Sequence, residues 1–303
     1  MKAITYSNYG GPEVLQIQNI TKPTPKANEI LIKVYATSVT AGDTRMRSFN
    51  VPTSHWIFAR LYLGLINPRR PILGMELSGV VEAIGYKVSR FKVGDEVFAS
   101  TLNSNFGAYA EYKCYPETGA VALKPSNLNY LESATLPIGA GTALRFLRKG
   151  ELKNRSKVLI YGASGSVGTY AIQIANYYGA DVTAVCSTSS IDFVKVLGPK
   201  RIIDYSKEDI VSWGRYDLVF DAVGKINSSQ IKSILNENGK VISVTNNPGN
   251  ITSEDLYEIK HFVESNVIRP VITESYKLEN VAEAHKLVDG GHKKGNISIV
   301  VAC

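Results

Sequence analysis

The segment Tyr161–Gly168, YGASGSVG, constrains the fold of this chain more than any other, because it places three glycines between a strand-like and a helix-like run. The preceding KVLIY is short, apolar and rich in β-branched and aromatic residues, which is typical of a buried strand. The following TYAIQIANYYGA has apolar residues at helical spacing, and Gly179 suits a helix end. A strand, a glycine turn and a helix predict the first half of a βαβ unit.

The spacing A-x-G-x-x-G inside that segment is a variant of the pattern that binds dinucleotides. The first glycine and the alanine permit a tight turn, the second glycine lets the backbone approach a pyrophosphate, and the third lets the helix pack on the strand. Glycine turns also serve packing alone, but a second strand-like run, DVTAVC, follows and favours nucleotide binding. The predicted cofactor-binding residues here are Gly162, Ala163, Ser164, Gly165, Ser166, Val167 and Gly168.

The residues after that second strand-like run indicate which dinucleotide is bound. An NAD site usually has an Asp or Glu there to hold the ribose 2′-hydroxyl. This chain instead has CSTSS, residues 186–190, with four hydroxyls and no acid. Hydroxyls can donate to a phosphate, and no carboxylate in the run repels one. The sequence therefore predicts NADPH as the cofactor, with contacts from Ser187, Thr188 and Ser190.

The composition is that of an ordinary globular protein, with 303 residues of which 44% are hydrophobic and 20% charged. This length allows two domains. The formal net charge of +7 suits an anionic cofactor, but no nucleic-acid motif is present, so we expect no nucleic-acid partner. No stretch has the length and apolarity of an integral membrane segment. Three widely separated cysteines give neither disulfide nor metal spacing, which predicts a reducing compartment, the cytoplasm.

The pattern of predicted secondary structure changes near residue 125. Before it, short β-like runs alternate with turns, among them EILIKVYATSV, ELSGVVEAIG, DEVFAS and a hairpin-like FKVGDEVF. After it, strand-like and helix-like runs alternate, which predicts an α/β fold with a doubly wound parallel sheet. Towards the end we expect, in order, a strand in VIRPVIT, a helix in LENVAEAHKLVDGG and a strand in NISIVVA.

Two further segments leave their function open at this stage. HWIFARLYLGL, residues 55–65, fits a wall of a substrate site, plain core or an exposed interface, and its periodicity does not decide between them. After KVISVT, residues 245–253 contain Asn-Asn-Pro-Gly-Asn and no strand-length apolar run. The helix SEDLYEIKHFVESN, with Ser253 as its cap, then begins immediately.

Segments along nearly the whole chain match a known family in order: GGPEVLQI, SVTAGDTRMRS, PILGMELSGVVEAIG, RFKVGDEVF, GAYAEY, LPIGAGTAL, VLIYGASGSVGTYAIQIA, IIDY and GHKKGNISIVV. The chain thereby resembles the medium-chain dehydrogenase/reductase superfamily, and most of all its zinc-free, quinone oxidoreductase-like (zeta-crystallin-type) group. The resemblance implies a GroES-like β-rich catalytic domain formed by residues 1–125 and 266–303. It implies a doubly wound Rossmann NADP-binding domain, residues 126–265, inserted between those two parts.

The resemblance also implies further site residues. It adds cofactor contacts from Thr142, Tyr205, Ala222 and Val223, although core packing explains Tyr205 equally well. Many relatives pair an additional strand after KVISVT across a two-fold axis, and this chain lacks the residues for it. We therefore expect a monomer, or a homodimer through a different surface, with the 245–253 loop covering the sheet edge.

Zinc members of that superfamily hold a catalytic metal with two Cys and a His. At the matching positions this chain has Thr40 and Met75, LPIGAGTAL contains no Cys, and only the accompanying Glu76 remains. A threonine and a methionine do not form the set of N and S ligands that zinc prefers. The resemblance therefore implies that no metal is bound.

Without a Lewis acid, a nicotinamide can deliver hydride to a quinone or to the β-carbon of an α,β-unsaturated carbonyl, and the protein supplies donors for the developing oxyanion. The candidate catalytic residues lie in TAGDTRMR: Thr40, Asp43, Arg45 and Arg47. Many zinc-free relatives have Asn at the position of Thr40. An ion pair that ties the loop together explains Asp43 and the arginines equally well, and the four histidines receive no role.

The leading hypothesis is an NADPH-dependent oxidoreductase that acts on a quinone or α,β-unsaturated carbonyl without zinc. A zinc-independent carbonyl or alcohol dehydrogenase is one alternative. A catalytically silent NADPH-binding protein that acts through interaction is another, and only turnover separates it from the enzymes.

Overall fold

The computed structural model describes residues 1–51, 56–246, 249–291 and 293–302. The chain divides into two compact units. The first unit comprises Met1–Ile138, Thr252–Lys260 and Ile272–Cys303, and the second comprises Gly139–Ile251 and His261–Val271. The boundaries at residues 125 and 265 remain a prediction of the domain organisation.

The first unit is β-rich within its described residues and contains a two-stranded and a seven-stranded sheet. Strands β1 and β2 form the smaller sheet. The larger has the order β13-β14-β3-β4-β5-β7, with β6 also paired to β3. The strands are β1 (Lys2–Thr5), β2 (Gln16–Asn19), β3 (Glu29–Ser38), β4 (Glu76–Ile84), β5 (Glu96–Ser100), β6 (Tyr112–Pro116), β7 (Val121–Leu123), β13 (Ile272–Lys277) and β14 (Asn296–Val300).

Strand β3 is the centre of this unit because it pairs with β4, β6 and β14, and most of its residues are buried. Its Ile30, Ile32 and Val34 share one apolar cluster with Leu77 and Val81 of β4. The helices of the first unit are α1 (Ala41–Ser48), α2 (Trp56–Leu63), α3 (Tyr130–Ser133) and α9 (Val281–Asp289), and α8 (Ser253–Glu264) runs from the first unit into the second.

The second unit contains a parallel sheet with the order β10-β9-β8-β11-β12. The chain starts in the middle at β8, winds outward through β9 and β10, and then crosses to β11 and β12. This order confirms the predicted doubly wound sheet. Its elements are β8 (Lys157–Tyr161), β9 (Asp181–Cys186), β10 (Arg201–Asp204), β11 (Tyr216–Asp221), β12 (Leu235–Ser243), α4 (Leu136–Lys149), which begins in the first unit, α5 (Ser166–Tyr177), α6 (Ile191–Lys195) and α7 (Ser228–Ile234).

The strand predicted in VIRPVIT is misplaced. β13 begins only at Ile272, and residues 267–271 form no strand. Pro270 has no amide proton for a ladder. The neighbouring amide of Arg269 donates to the side chain of Gln173 on α5 at 2.8 Å, so the backbone here bonds a helix rather than a strand.

The structure also differs from the predicted hairpin at Gly94 and from the predicted cap of α8. The residues before Gly94 in FKVGDEVF form no strand, and the turn leads directly into β5 instead of closing a hairpin. Helix α8 is capped by Thr252 rather than Ser253, because the Thr252 hydroxyl accepts from the Asp255 amide (3.3 Å) while the Asp255 carboxylate accepts from the Thr252 amide (3.0 Å). This reciprocal pair is a capping box shifted by one residue.

Strand β12 pairs with β11 and, within the described part of the chain, with no other strand. Residues 244–246 and 249–252 form no strand. Residues 247 and 248, which belong to the loop predicted to cover this edge, lie outside the described residues. The oligomeric state therefore stays a prediction.

Helix α2 shows which interpretation of HWIFARLYLGL is wrong. Trp56, Ile57 and Leu61 are 47%, 68% and 51% exposed, and only Leu63 is buried among the apolar residues of known exposure in the helix. His55 lies outside the described residues. The interpretation as core is therefore wrong for the three exposed side chains. The interpretations as a wall of a substrate site and as an exposed interface stay open.

Candidate active site

The glycine turn lies between β8 and α5, as predicted. Gly162 has a φ of +78°, and a β-carbon there would lie 2.2 Å from Cγ2 of Val223. At Gly168 it would lie 2.3 Å from the carbonyl oxygen of Gly162, so α5 approaches the turn only because residue 168 has no side chain. A β-carbon at Gly165 would have only one described neighbour within 4 Å, the carbonyl oxygen of Gly162 at 3.5 Å. This open face at the start of α5 fits a pyrophosphate, and Ser164, Ser166 and Val167 surround it half-buried.

The carboxyl ends of the central strands meet at this turn. The amides of Gly162 and Ala163 both donate to the carbonyl of Val185 on β9, at 3.1 and 3.0 Å. On the other side, the amide of Ala222 after β11 donates to the carbonyl of Tyr161 at 3.0 Å. The strand order reverses between β8 and β11, and doubly wound sheets bind their ligands at such a reversal.

The loop after β11 is held rigidly beside the glycine turn. The carboxylate of Asp221 accepts hydrogen bonds from the amides of Val223 (3.0 Å), Gly224 (2.7 Å) and Ile226 (3.0 Å). Together with the contact of Val223 at Gly162, these bonds bring the predicted cofactor residues of the two loops together.

The hydroxyls after β9 lie at the same edge. Ser187 Oγ is 3.3 Å from the Oγ atoms of both Ser189 and Ser190. The hydroxyl of Thr188 donates to the carboxylate of Asp204, which ends the neighbouring strand β10 opposite Cys186. The absence of an acid after β9 is thus a local property, because the next strand supplies one.

Asp204 is nevertheless fully engaged. Its Oδ1 accepts from the Ser206 hydroxyl (2.6 Å) and the Ser206 amide (3.1 Å), and its Oδ2 lies 3.7 Å from the Lys207 amine in addition to the Thr188 bond. The Ser206 and Thr188 hydrogen bonds lower the pKa of Asp204 to about 2. The carboxylate is therefore ionised at neutral pH and joins the loops after β9 and β10.

Tyr205 is exposed and is not a core residue. Its ring lies 6.0 Å from that of Tyr161, which in turn lies 6.3 Å from Trp213. These aromatic residues line a cavity of about 220 Å³ in the second unit. Thr142 is half-buried on α4, and that helix approaches the start of α5 at Gly139, where a β-carbon would lie 2.5 Å from the Ser166 hydroxyl.

Thr40, the first candidate catalytic residue, caps α1 in the first unit. Its hydroxyl accepts from the Asp43 amide (3.2 Å) and donates to the Asp43 carboxylate (2.6 Å), which also accepts from the Thr40 amide (2.9 Å). This capping box gives both residues a structural function. Arg45 is exposed on the same helix. The catalytic functions of these residues stay predictions.

Glu76, at the start of β4, is buried beside this cap. One carboxylate oxygen accepts from the Ser38 hydroxyl, and the other accepts from the Ile138 amide at 2.7 Å. Asp43 is buried as well, and its second oxygen accepts from the Gly74 amide at 3.0 Å. Burial raises the pKa of Glu76 to about 7 and that of Asp43 to about 6, against the opposing effect of these hydrogen bonds.

Lys293 supplies the cation of this cluster. Its amine donates to the carbonyl of Val39, directly before Thr40, at 3.3 Å. Burial lowers the pKa of Lys293, while attraction to the carboxylates of Glu76 and Asp43 opposes the lowering. Sequence reasoning missed this residue, because it is one of two adjacent lysines in GHKKGN and nothing local separates it from a solvated side chain.

The residues at the expected zinc positions do not fit a zinc ion. The sulfur of Met75 accepts a weak contact from the Thr40 hydroxyl at 3.5 Å and belongs to an apolar cluster with Leu63 and Phe106. A β-carbon at Gly42 would lie 2.5 Å from this sulfur. In the described part of the chain, no group of three or more His, Cys, Asp or Glu could hold a metal.

Arg47 is buried and makes structural contacts. Its guanidinium donates to the carbonyl of Gly10 (3.1 Å), to Nδ1 of His285 (3.1 Å) and to the carboxylate of Asp289 (2.7 Å). Burial lowers the pKa of His285 to about 3, so the ring is neutral. With Nδ1 accepting, Nε2 carries the proton towards the Tyr109 hydroxyl, 3.1 Å away. The network joins α1 to α9 and gives His285 a function that the sequence did not predict.

Two family models match the chain. The alcohol dehydrogenase GroES-like domain matches residues 26–125, and the zinc-binding dehydrogenase family matches residues 197–299. Together these ranges cover more than half of the chain. The fold, the glycine turn and these matches define a dehydrogenase/reductase architecture.

Curated relatives and solved structures agree with these matches. The chloroplastic NADPH-dependent alkenal/one oxidoreductase of Arabidopsis thaliana is 32% identical, with 99% of this chain and 79% of the relative covered. The quinone oxidoreductase of Sus scrofa is 31% identical, with 97% and 95% covered. The structure of the quinone oxidoreductase from Coxiella burnetii has a TM-score of 0.88 at 28% identity and covers 100% and 99% of the two chains.

The chain therefore belongs to the medium-chain dehydrogenase/reductase family, in its quinone oxidoreductase-like group, and it is an oxidoreductase. This confirms the resemblance and the fold class predicted from the sequence. Among the described residues, no helix has the length and apolarity needed to cross a bilayer.

We expect Glu76→Gln to change how stability depends on pH. The pKa of Glu76 rises from 4.5 to about 7 on folding, so the folded state binds the proton more tightly. Ionisation of Glu76 therefore costs stability as the pH rises from about 4.5 to 7. Relative to the parent, the variant should gain roughly 2 kcal/mol of unfolding free energy between pH 5 and pH 8, measured by urea titration.

Glu283→Gln is the matched control, because it removes the same charge from an exposed position on α9. Its unfolding curve should follow that of the parent at both pH values. If Glu76→Gln also follows the parent, Glu76 is ionised normally and the buried cluster is not as described.

Proposed function

We propose that this protein is an NADPH-dependent oxidoreductase that reduces a quinone or an α,β-unsaturated carbonyl without zinc. The observation that carries the proposal is the set of groups around Thr40. The zinc positions hold a capping hydroxyl and a packed thioether, and the amine of a half-buried lysine, Lys293, donates to the carbonyl next to Thr40. The named relatives, an alkenal/one and a quinone oxidoreductase, support the substrate class.

The chain's own residues have a clear task in such a reaction. Bound NADPH would supply the hydride, and reduction of an enone or quinone leaves negative charge on the substrate oxygen. A hydroxyl and a cation stabilise such an oxyanion. For Thr40 to donate to the substrate, its hydroxyl must break the hydrogen bond to the Asp43 carboxylate. The carboxylate would still accept hydrogen bonds from the amides of Thr40 and Gly74. Solvent then delivers the proton that completes the two-electron reduction.

The cofactor would be held by the second unit. The open face at Gly165 would accept the pyrophosphate, and the half-buried Ser187 hydroxyl would donate to the 2′-phosphate. Ser190 is buried, with its hydroxyl 3.3 Å from that of Ser187, so it would support Ser187 rather than contact the phosphate itself. Asp204 favours the second candidate, an NADH-dependent enzyme, because it places an ionised carboxylate near this site. Its oxygens are already occupied by Thr188, Ser206 and Lys207, and we therefore favour NADPH.

We propose a small-molecule quinone or enone as substrate and no nucleic-acid partner. The dispersed cysteines, of which Cys186 is buried and Cys114 half-buried, support a reducing compartment, and we propose the cytoplasm.

Purified protein treated with a chelator should oxidise NADPH in the presence of small quinones and enones. Absorbance at 340 nm measures the rate, with a simple alcohol plus NADP⁺ as the comparison. Equal rates before and after chelation are expected because the residues do not fit zinc. Loss of turnover that zinc restores would overturn the zinc-free chemistry, and binding of NADPH without any turnover would favour the silent alternative.

Ser187→Asp should discriminate against NADPH. An added carboxylate repels the 2′-phosphate, so we expect roughly tenfold or greater weakening of NADPH binding, with NADH unaffected or improved. Fluorescence titration of both cofactors measures this, and Ser187→Ala separates loss of a donor from added charge. The idea fails if the parent binds NADH as tightly as NADPH.

Thr40→Val should lower kcat by roughly 10–100-fold while leaving NADPH binding unchanged, because it removes a donor to the oxyanion. It also removes a helix cap, at about 1 kcal/mol of stability. Thr40→Ser keeps both and should restore the rate. Thr44→Val, on the same helix, is the control for loss of a threonine hydroxyl. Unchanged turnover in a stable Thr40→Val protein would leave Thr40 with its capping function alone.

A further inference from the structure

We propose that the first unit contains a second small-molecule site, which binds an amphipathic carboxylate: an anion with an apolar body. The site, here named the basic cavity, has a volume of about 720 Å³. Its lining residues are Met1, Ile20, Thr21, Pro23, Leu61, Arg69, Arg70, Pro71, Ile72, Asn105, Gly107, Tyr112, Lys113 and Cys114.

The size and the apolar part of the lining fit a small organic molecule. Sites for drug-sized ligands occupy roughly 300–1,000 Å³ and are lined mainly by hydrophobic groups with a few polar ones. Ile20, Pro23, Pro71 and Ile72 provide such walls. At one side the cavity reaches Leu61 of α2, whose half-exposed side chain offers further apolar surface.

The charged side chains that line the cavity are all basic. Arg69, Arg70 and Lys113 line the cavity, and no Asp or Glu is among its lining residues in the part of the chain that the structure describes. The Arg69 guanidinium is positioned by a bond to the carbonyl of Leu61 at 2.9 Å. The guanidinium of Arg70 lies 5.5 Å from the ring of Phe106, which fixes it by a cation–π contact.

Lys113 is the central feature. Its amine donates to the carbonyl of Ser104 at 2.9 Å and packs against Gly107, where a β-carbon would lie 3.1 Å from Nζ. Gly107 has a φ of +98°, so the backbone is shaped around the amine by a residue that tolerates this conformation.

The protonation of Lys113 points to an anion. Burial lowers its pKa to about 8, and the weaker attractions of Cys114 and Glu29 do not restore it. The other charged groups of the lining residues, the guanidinium groups of Arg69 and Arg70 and the α-ammonium of Met1, which donates to the Ile20 carbonyl, are of the same sign. A carboxylate bound beside Lys113 would compensate the burial of the ammonium group, and the affinity should fall as the pH rises through 8.

The basic cavity is separate from the candidate active site. None of Thr40, Asp43, Glu76 or Lys293 lines it, and neither do the residues predicted to hold the cofactor. Its occupant therefore need not be the substrate, and its test does not depend on the proposed reaction.

Cys114 lines the cavity and reports on its occupancy. We would measure the alkylation of Cys114 by iodoacetamide in the intact protein, by peptide mass spectrometry, with octanoate as the probe. Saturating octanoate should slow alkylation at least fivefold, whereas octanol and octyltrimethylammonium should not. Added NADP⁺ should leave the protection unchanged. Equal protection by all three amphiphiles, or loss of protection with NADP⁺, would overturn the proposal.

Variants test the charge. Lys113→Met should weaken octanoate protection about tenfold, Lys113→Arg should retain it, and Lys87→Met, on an exposed residue of the same unit, should match the parent. The affinity for octanoate, obtained from the concentration that gives half-maximal protection, should fall as the pH rises from 7 to 9 in the parent but change little in Lys113→Arg. An unchanged octanoate affinity in Lys113→Met would sink the idea.

A second arm distinguishes the source of the carboxylate. Two probes present the same carboxylate: oleate in phosphatidylcholine vesicles presents it from a bilayer, and octanoate without vesicles presents it from solution. Protection by octanoate alone indicates a free ligand, and protection by both indicates one that can also be drawn from a bilayer. Protection by phosphatidylglycerol vesicles without protection by octanoate would overturn a carboxylate site.

Discussion

The absence of a side chain at Gly168 is the constraint on which the second unit depends. Any β-carbon there would collide with the backbone of the glycine turn, at 2.3 Å from the Gly162 oxygen and 2.8 Å from Cα of Ala163. These contacts are with backbone and cannot be relieved by a rotamer change. Because the helix can approach, its N-terminus opens at the carboxyl ends of β8, β9 and β11, where three loops meet. The open face that we propose binds a dinucleotide is thus a consequence of close helix–strand packing.

The first unit buries several charged side chains within hydrogen-bonded networks. Asp43 and Glu76 accept hydrogen bonds from backbone amides and from the hydroxyls of Thr40 and Ser38, and Lys293 lies nearby with opposite charge. Arg47 is satisfied in the same way. Buried ionic groups are tolerated when their hydrogen bonds are complete. Under the proposed function, the same groups that stabilise the fold would also act on the developing oxyanion.

Asp204 provides the loop after β9 with a neighbouring carboxylate that the loop itself lacks. It is eighteen residues beyond Cys186, yet parallel pairing of β9 with β10 places the two opposite each other. The carboxylate fixes the Thr188 hydroxyl, and Ser190 is buried, so the half-buried Ser187 is the more accessible of the two remaining predicted donors. Under the proposed function, two loops that are distant in the sequence would therefore share the selection between cofactors.

The sequence alone was enough to predict the glycine turn, the α/β class and the start of the doubly wound sheet, and it has Thr40 and Met75 where the resemblance expects zinc ligands. All of these depend on local spacing, whose physical causes act within a few residues: helical and strand periodicity, glycine conformation and ligand chemistry. It misplaced the strand at VIRPVIT because the competing bond to Gln173 comes from a distant helix.

The tertiary structure alone decided which charges meet. Arg47 and His285 are 238 residues apart in the chain, and Lys293 and Val39 are 254 apart. No periodicity encodes such pairs, because they arise where the last strand and helix return to the first ones. The basic cavity has the same origin, since it brings together side chains from β6, the turn after α2 and the segment after β2. Its single sign of charge exists only once those segments are folded against one another.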